Sequence, residues 1–483
     1  MNFAYIRYLF GRVLEVFAGL LLLPFLVSLS FSEPAINRWG FLTPGLLCLG
    51  VGFVLSQKKP ENSNLFIREE MVLSALLWIT LALIGALPLY ISKAYGTFVD
   101  SFFEICSALT TTGLTTLKNT ESLAPSILFW RSFTHFLGGI GILMTALTLI
   151  PRLSFADRQR PRFKSTDVKK WKWRQWIFDP SFFIFFLYFF MGGILFLLLL
   201  RKMPFFDALC QTFATAGSGA FTTKGATKAI GASSYLRWVI TFFMLVFSLN
   251  FQLFFAFFVG KGREPFKNEE VSWFIGFCLI SLVGVAFILG AKDPVFLKSH
   301  WGRVLTDSAF SVSSMISTTG TEALSLFSWP SGARAILLLL MFIGGTSGSL
   351  ASGFKASRVG MNLKIALSEL VLQRQPKRIH PARFNGHPIE EKRRRALHAY
   401  GAIYLLLFVL LFLLLVLEFS DLEPAFLTAA SVLNNVGPGL VPAGMIANCR
   451  PLTKVVLSFG MIAGRLEIWP LLMIFSPKTW SKY

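Results

Sequence analysis

Four short segments of the chain share one pattern, in which an acidic residue is followed by an apolar run and then by a glycine among small residues. In chain order they read DSFFEICSALTTTGLTT (100–116), DALCQTFATAGSGAFTT (207–223), DSAFSVSSMISTTGTEA (307–323) and EPAFLTAASVLNNVGPGL (423–440). The glycines that align are Gly113, Gly219, Gly320 and Gly437, at separations of 106, 101 and 117 residues. A fourfold repeat of this period predicts four copies of one structural unit.

The composition places these units in a membrane. Of the 483 residues, 54% are hydrophobic and only 15% are charged, and 52 are phenylalanines. Crossing a bilayer core of about 30 Å takes roughly 20 apolar residues in a helix. Such spans are predicted near residues 10–31, 40–57, 70–92, 125–150, 178–200, 234–259, 271–290, 332–354, 397–418 and 452–474.

We therefore predict an all-α integral membrane protein of ten transmembrane helices. Two N-terminal helices precede four helix–pore loop–helix repeats around a central pore. The predicted units are an extension over residues 1–69 and four pore repeats over residues 70–177, 178–270, 271–396 and 397–483.

The formal charge of +21 is concentrated in loops between the predicted spans. Residues 152–174 hold nine Lys and Arg against two Asp, and residues 355–395 hold eleven against three Glu. Basic loops mark the cytoplasmic side and contact anionic lipid headgroups, so nucleic acid need not be invoked. An even number of spans places both termini on the same side, and the basic loops after the fourth and eighth spans identify that side as the cytoplasm.

The repeated segments are too short to cross a bilayer, which favours re-entrant half-helices. Glycine at the turning point would allow backbone carbonyls to face one axis and replace the hydration shell of a cation. The C-terminal ends of the half-helices would also favour a cation. The cysteines and histidines are scattered, and we find no paired catalytic carboxylates, nucleophile elbow or P-loop. The pattern therefore predicts an ion pathway, with neither enzymatic chemistry nor an organic cofactor.

From about residue 70 to its end, the sequence resembles the Trk/Ktr/HKT superfamily of potassium transporters. The two additional N-terminal helices favour the bacterial Trk-type membrane subunit over the eight-helix Ktr type. The motifs that carry the resemblance are TTTG (110–113), GGIGI (138–142), GGTSGSLASGFKASR (344–358), NNVGPG (434–439) and GRLE (464–467).

This resemblance implies potassium uptake across the bacterial inner membrane. It also implies a homodimer with one pore per subunit, and cytoplasmic nucleotide-binding regulatory subunits (TrkA-like) that gate the pore. Sodium permeability and symport coupled to protons or sodium remain alternatives within the superfamily. A secondary transporter of another class is a further alternative, but such folds usually contain two inverted repeats rather than four parallel ones.

The resemblance also assigns a potassium filter to the four loops. The second loop departs from the family's usual pair of glycines, because Ala220 follows Gly219, and Gly217 offers another register. Glycine in the first loop favours potassium, since sodium-selective plant relatives carry serine there. The predicted filter residues are Thr111, Thr112, Gly113, Gly217, Ser218, Gly219, Thr318, Thr319, Gly320, Asn435, Val436 and Gly437.

A glycine-rich run in the third repeat is the first gate candidate. Each glycine costs about 1 kcal/mol of helix propensity relative to alanine, so the run predicts a break between two half-helices. It would form a flap below the filter, with Lys355 at its cytoplasmic end; the alternative is a close-packed helix crossing. The glycines of the run are Gly344, Gly345, Gly348 and Gly353.

Arg465, within the last predicted span, is the second gate candidate. An ionisable residue inside the membrane is by default functional. Facing the pore, its positive charge would act as an electrostatic brake on cations. It could equally anchor the flap or pair with a carboxylate.

The four acidic residues that open the repeated segments are predicted to cap the half-helices and to stabilise their dipoles. A second possible role is to concentrate cations at the outer mouth. They are Asp100, Asp207, Asp307 and Glu423.

Overall fold

A computed structural model describes residues 1–61, 65–117, 123–148, 180–258, 267–292, 294–321, 326–375, 381–442 and 444–480. The described part is almost entirely helical, which confirms the predicted all-α class. A short antiparallel pairing of β1 (Arg383–Phe384) with β2 (His387–Pro388) is added between two helices. The basic segment over residues 152–174 lies outside the described residues.

Three long helices open the chain: α1 (Phe3–Ser30), α2 (Ala35–Ser56) and α3 (Ile67–Ile91). α1 and α2 cross closely at Gly11 and Gly52. A Cβ on Gly11 would lie only 2.7 Å from the carbonyl oxygen of Gly52, so only glycine permits this approach. Small residues let membrane helices approach in this way.

From α3 onward, the described residues repeat one unit: a first helix, here called the outer helix, then a half-helix, and then a second helix, here called the inner helix. In the first repeat these are α3, α4 (Phe98–Leu109) and α5 (Pro125–Thr148). The second repeat contains α6 (Pro180–Leu199), α7 (Phe205–Gly217), α8 (Lys224–Ala232), α9 (Ser234–Phe247) and α10 (Phe251–Phe258). The third contains α11 (Glu269–Lys292), α12 (Pro294–Ile316), α13 (Ser331–Ile343) and α14 (Ala356–Arg374). The fourth contains α15 (Glu391–Val416), α16 (Leu422–Asn434), α17 (Pro451–Arg465), α18 (Trp469–Phe475) and α19 (Pro477–Trp480).

Seven helices in the described ranges are long and apolar enough to cross a membrane, namely α1, α2, α3, α5, α6, α11 and α15. The other three predicted spans are the inner helices of repeats two, three and four, and each is broken. The breaks fall between α9 and α10, between α13 and α14, and between α17 and α18. The architecture is consistent with ten spans, and that exact number stays a prediction.

The predicted break at the glycine-rich run is confirmed, because α13 ends at Ile343 and α14 begins only at Ala356. The corresponding inner helix of the first repeat, α5, runs to Thr148 without a break. The four repeats therefore share one plan but differ on their inner helices.

Aromatic residues fill the interior between the first repeat and the N-terminal helices. Trp130 is fully buried, contacts the rings of Phe17 and Phe41, and donates its indole N–H to the carbonyl of Gly85 at 3.0 Å. By contrast, α11 carries large apolar side chains on the outside, with Phe287 75% exposed. Continuous apolar surface of this kind suits contact with lipid.

Candidate functional site

All four half-helices end in the same backbone turn. The residue after each half-helix, or the next one along, adopts the left-handed region; these residues are Thr111, Ser218, Thr318 and Asn435, with φ of 57°, 56°, 54° and 52°. The following N–H then donates to a carbonyl five residues earlier. The four bonds are Thr112 to Ser107 (2.8 Å), Gly219 to Ala214 (2.8 Å), Thr319 to Ser314 (3.0 Å) and Val436 to Ser431 (3.0 Å). This shared turn fixes the structural correspondence of the four loops.

In the second loop, the alignment given by this shared turn is shifted by one residue from the sequence alignment that matched the four glycines. Gly219 occupies the place of Thr112, and the place of Gly113 is taken by Ala220. Gly320 and Gly437 keep the correspondence that the sequence alignment gave them. The second loop therefore has no glycine at the position where the other three loops have one.

The three glycines at this position meet two requirements that other residues would violate. Their φ values are positive, at 82° for Gly113, 61° for Gly320 and 94° for Gly437. A Cβ would also have no room. On Gly320 it would overlap the carbonyl oxygen of Val436, and on Gly437 the carbonyl oxygen of Thr112. The third loop thus packs on the fourth, and the fourth packs on the first.

The first loop in turn packs on the second, since a Cβ on Gly113 would lie 2.5 Å from the Cβ of Ala220. A side chain also links the fourth loop to the first. Asn435 donates its Nδ2 hydrogens to the hydroxyl of Thr112 at 2.9 Å and to the carbonyl of Met461 at 2.8 Å. The four loops are therefore in direct contact at the ends of their half-helices.

The glycines that the second loop does carry make room for His135 of α5. A Cβ on Gly217 would lie 2.5 Å from the carbonyl oxygen of His135, and one on Gly219 would lie 2.7 Å from its ring. Nδ1 of His135 lies 2.6 Å from the carbonyl oxygen of Ala108, and the N–H of Phe221 donates to Nε2 at 3.1 Å. A neutral ring with its proton on Nδ1 satisfies both contacts. His135 therefore bridges the first half-helix and the second loop.

A buried ion pair lies one turn away from His135 on α5. Arg131 contacts Glu104 of the first half-helix at 2.7 Å, with side chains 3% and 0% exposed. The other carboxylate oxygen of Glu104 accepts from the Thr115 hydroxyl at 3.1 Å and the Thr116 N–H at 3.2 Å. The guanidinium lies 3.9 Å from the ring centroid of Phe221. The sequence analysis singled out neither Arg131 nor His135.

The acidic residues that open the half-helices are held by other side chains. Asp100, Asp207 and Glu423 lie in the first turns of α4, α7 and α16, as a role at the helix dipole requires. Asp307 lies inside α12, so neither the predicted cap nor the role at the helix dipole holds there. None of the other three is the capping residue either, so the predicted cap is wrong at all four; for α4 the capping residue is Thr97.

Three of these acids pair with a base on the inner helix of a neighbouring repeat. We call these contacts the rim pairs. The base is the fourth residue of that helix in each case, and the corresponding residue of α5 is Leu128. Asp207 instead accepts from the Thr223 hydroxyl at 2.5 Å. The rim pairs are Lys454–Asp100 (2.6 Å), Arg334–Glu423 (2.6 Å) and Arg237–Asp307.

The glycine-rich run crosses the interior beside the third loop. Its backbone takes positive φ at Gly344, Gly348, Gly353 and Lys355, whereas Gly345 is not among the residues with positive φ. The backbone N–H of Ser352 donates to the Thr318 hydroxyl at 2.8 Å, which ties the run to the third loop.

Side chains and backbone from other elements hold the rest of this run. Thr346 donates twice to the carbonyl of Ser248, at the break between α9 and α10. The N–H of Ser347 donates to Glu270 at 2.5 Å. Lys355 donates to the carbonyl of Ala351 within the run. These contacts tie the run to elements of the second and third repeats.

Arg465 contacts this run directly. It donates through Nη1 to the carbonyl of Leu350 at 2.7 Å and to the hydroxyl of Ser352 at 2.8 Å. Its other two nitrogens, Nε and Nη2, are buried and have no hydrogen-bond partner among the described residues. Glu467 lies in the turn after α17, with φ of 58°, and pairs with Arg358 at 2.5 Å instead of with Arg465.

Long apolar helices and four half-helices with adjoining terminal loops define a membrane transport protein. A sequence profile of the TrkH family, described as cation transport proteins, matches residues 44–482. The chain belongs to this family, which is one of transporters and not of enzymes.

The relatives cover the whole chain. It is 30% identical over 488 residues to the Trk system potassium uptake protein TrkH of Salmonella typhimurium, with 100% of both chains covered. It is 29% identical to an uncharacterized cation transporter of Methanocaldococcus jannaschii, covering 98% of this chain and 95% of that one. The crystal structure of the potassium transporter TrkH from Vibrio parahaemolyticus is similar, with a TM-score of 0.86, 28% identity and full coverage of both chains.

Proposed function

We propose that this chain is the potassium-translocating subunit of a Trk-type uptake system in the bacterial inner membrane. The observation that carries the proposal is the set of three glycines, Gly113, Gly320 and Gly437. Each has positive φ. At Gly320 and Gly437 a Cβ would also overlap a carbonyl oxygen of another loop. Such close backbone packing brings carbonyl oxygens of several loops together, which is how a filter replaces the hydration shell of potassium.

In this proposal the loop residues from Thr111 to Gly113, Gly217 to Gly219, Thr318 to Gly320 and Asn435 to Gly437 form the filter. The structural correspondence adds Ala220 to the second loop. The two relatives called Trk system or potassium transporter TrkH support potassium as the transported ion. Both termini would lie in the cytoplasm, and the basic segments would contact anionic lipid headgroups.

The glycine-rich run and Arg465 form the gate in this proposal. Arg465 holds the run through Leu350 and Ser352, and Ser352 in turn bonds to Thr318 of the third loop. Among the described residues Arg465 bonds only to neutral oxygens and to no carboxylate, so its positive charge would oppose a cation below the loops. Anchoring the run and braking the ion are therefore compatible roles for one side chain.

A homodimer and cytoplasmic TrkA-like subunits complete the proposed system. The Trk system names of the relatives support partnership with other components. The regulatory subunits would act on the run from the cytoplasmic side, where Lys355 and α14 follow it.

The test of transport is ion flux into liposomes that contain the purified protein. Potassium, rubidium and sodium are supplied separately, without and with a proton or sodium gradient. We expect potassium flux well above sodium flux. Equal sodium flux would favour the sodium-permeable alternative, and flux that requires a gradient would favour symport.

Variants of the loop glycines test the filter. Gly437→Ser should abolish potassium selectivity, because a side chain would collide with the carbonyl of Thr112. Gly19→Ser on α1 is the matched control, since a Cβ there meets nothing within 4 Å. Selective flux by a folded Gly437→Ser protein would refute the filter.

The gate is tested by Arg465→Ala and Ser352→Ala, which remove the two ends of one contact. Both should raise flux in the absence of regulatory subunits, and Arg465→Ala should raise it more because it also removes the charge. Unchanged flux in both variants would refute the gate.

A further inference from the structure

The second loop carries a methyl group where its three counterparts carry none. Ala220 corresponds to Gly113, Gly320 and Gly437 through the shared turn, and it is not among the residues with positive φ. It is 7% exposed. The second loop therefore takes another backbone conformation at this position, and the fourfold arrangement is broken there.

The methyl group points toward two other loops. It lies 2.5 Å from the position that a Cβ on Gly113 would occupy, and 3.0 Å from the corresponding position on Gly437. The same position on Gly437 lies against the carbonyl oxygen of Thr112. The methyl of Ala220 is thus packed between the first and fourth loops, near the place where Gly437 meets the carbonyl of Thr112.

We propose that Ala220 determines the specificity and the rate of transport by narrowing this level of the pathway. The proposal rests on the proposed filter. A methyl group has no lone pair for a cation, so it occupies space that another ligand or the ion itself would use. The steric effect should grow with the size of the ion and weigh more on rubidium than on potassium.

The contact also explains how Ala220 is tolerated. Gly113 and Gly437 have no side chain, and the methyl of Ala220 fills the space that their side chains would need. Glycine at position 220 would leave this space empty and make the pathway wider there. A larger side chain would collide with Gly113 and Gly437.

The test is flux into liposomes with three proteins: the wild type, Ala220→Gly and Ala220→Val. We expect the order Gly, Ala, Val from fastest to slowest. We also expect Ala220→Gly to raise the rubidium-to-potassium ratio by about tenfold, the lower end of what one methyl group contributes to discrimination in a fitted site. Ala229→Gly on the neighbouring helix α8 makes the same chemical change away from the loops and should leave the ratio unaltered.

Each outcome has a separate meaning when all proteins elute as folded species in detergent. Wild-type flux that is unchanged in both Ala220 variants, with an unaltered rubidium ratio, would overturn the role of Ala220 and leave the filter in place. If the wild type carries no potassium, the proposed function fails and this inference fails with it. Altered flux in Ala220→Val with no gain in Ala220→Gly would show a structural role only and would also overturn the proposal.

Discussion

The junction between the first and second repeats is built differently from the three others. At those three, a rim pair links the start of an inner helix to the acidic residue of the next half-helix. At the first junction Leu128 stands in place of the base. The polar contacts come instead from Arg131 and His135, which are three and seven residues further along the same helix and hence on the same face.

The two designs differ in depth. The rim pairs keep some exposure, and in the Arg334–Glu423 pair the glutamate side chain is 61% exposed. The Arg131–Glu104 pair is almost wholly buried. An exposed pair is screened by water and contributes little, whereas a buried pair is costly to break. The first junction should therefore be the one most sensitive to substitution.

The largest effect is expected from Arg131→Met. It leaves the Glu104 carboxylate buried without a countercharge, which costs about 3–5 kcal/mol. Thermal unfolding in detergent should show a strongly lowered midpoint, and uptake should be lost. The double variant Arg131→Met with Glu104→Leu removes both charges and should recover much of the stability. A double variant no more stable than the single one would contradict this reasoning.

The next effect is expected from His135→Leu. The carbonyl of Ala108 and the N–H of Phe221 would both lose their buried partner, at about 1–3 kcal/mol for each group left unsatisfied. Because these groups flank the first and second loops, we expect ion selectivity to fall as well as stability. Glutamine can donate and accept, so His135→Gln should restore part of the selectivity. Equal behaviour of the two variants would argue for a packing role alone.

The rim pairs should respond according to their burial. Lys454→Met removes the partner of Asp100, where the side chains are 8% and 19% exposed, and should cost more than about 1 kcal/mol. Arg334→Met at the exposed pair should cost less than about 1 kcal/mol, and high salt should reduce this cost further because it screens an exposed pair. Chemical denaturation of both variants, at low and high salt, gives the ranking. A larger loss of stability in Arg334→Met than in Lys454→Met would show that burial does not determine the strength of the rim pairs.

The smallest effect is expected from Leu128→Arg, which supplies a fourth base facing Asp207. A partly exposed pair of this kind contributes about 0–1 kcal/mol. A small rise in the unfolding midpoint that disappears in the double variant with Asp207→Asn would support the rim pair as a repeated device. A rise that persists without the carboxylate would count against it.

The fold and the break in the third repeat could be predicted because they depend on local sequence. The length of apolar runs gives the spans, and the low helix propensity of four nearby glycines gives the end of α13 at Ile343. The fourfold repeat was visible because half-helix and loop are adjacent in the chain. These features need no knowledge of distant residues.

The register of the second loop could not be read from glycines, because glycine has two uses there. Gly217 and Gly219 make room for His135, which lies on another helix, whereas the position that turns the other loops holds Ala220. The partners of Asp100 and Asp307 were equally hidden, since Lys454 and Arg237 belong to other repeats. Distant contacts of this kind require the folded structure.

The pairing of Lys454 with Asp100 joins residues 354 positions apart and has a consequence for biosynthesis. At roughly 5–20 residues per second, a ribosome makes Asp100 about 20–70 seconds before Lys454. During that time Asp100 of the first half-helix lacks its contact with Lys454, and Thr112 lacks its contact with Asn435. The contacts that join the fourth repeat to the first can therefore form only after α16 and α17 have been synthesised.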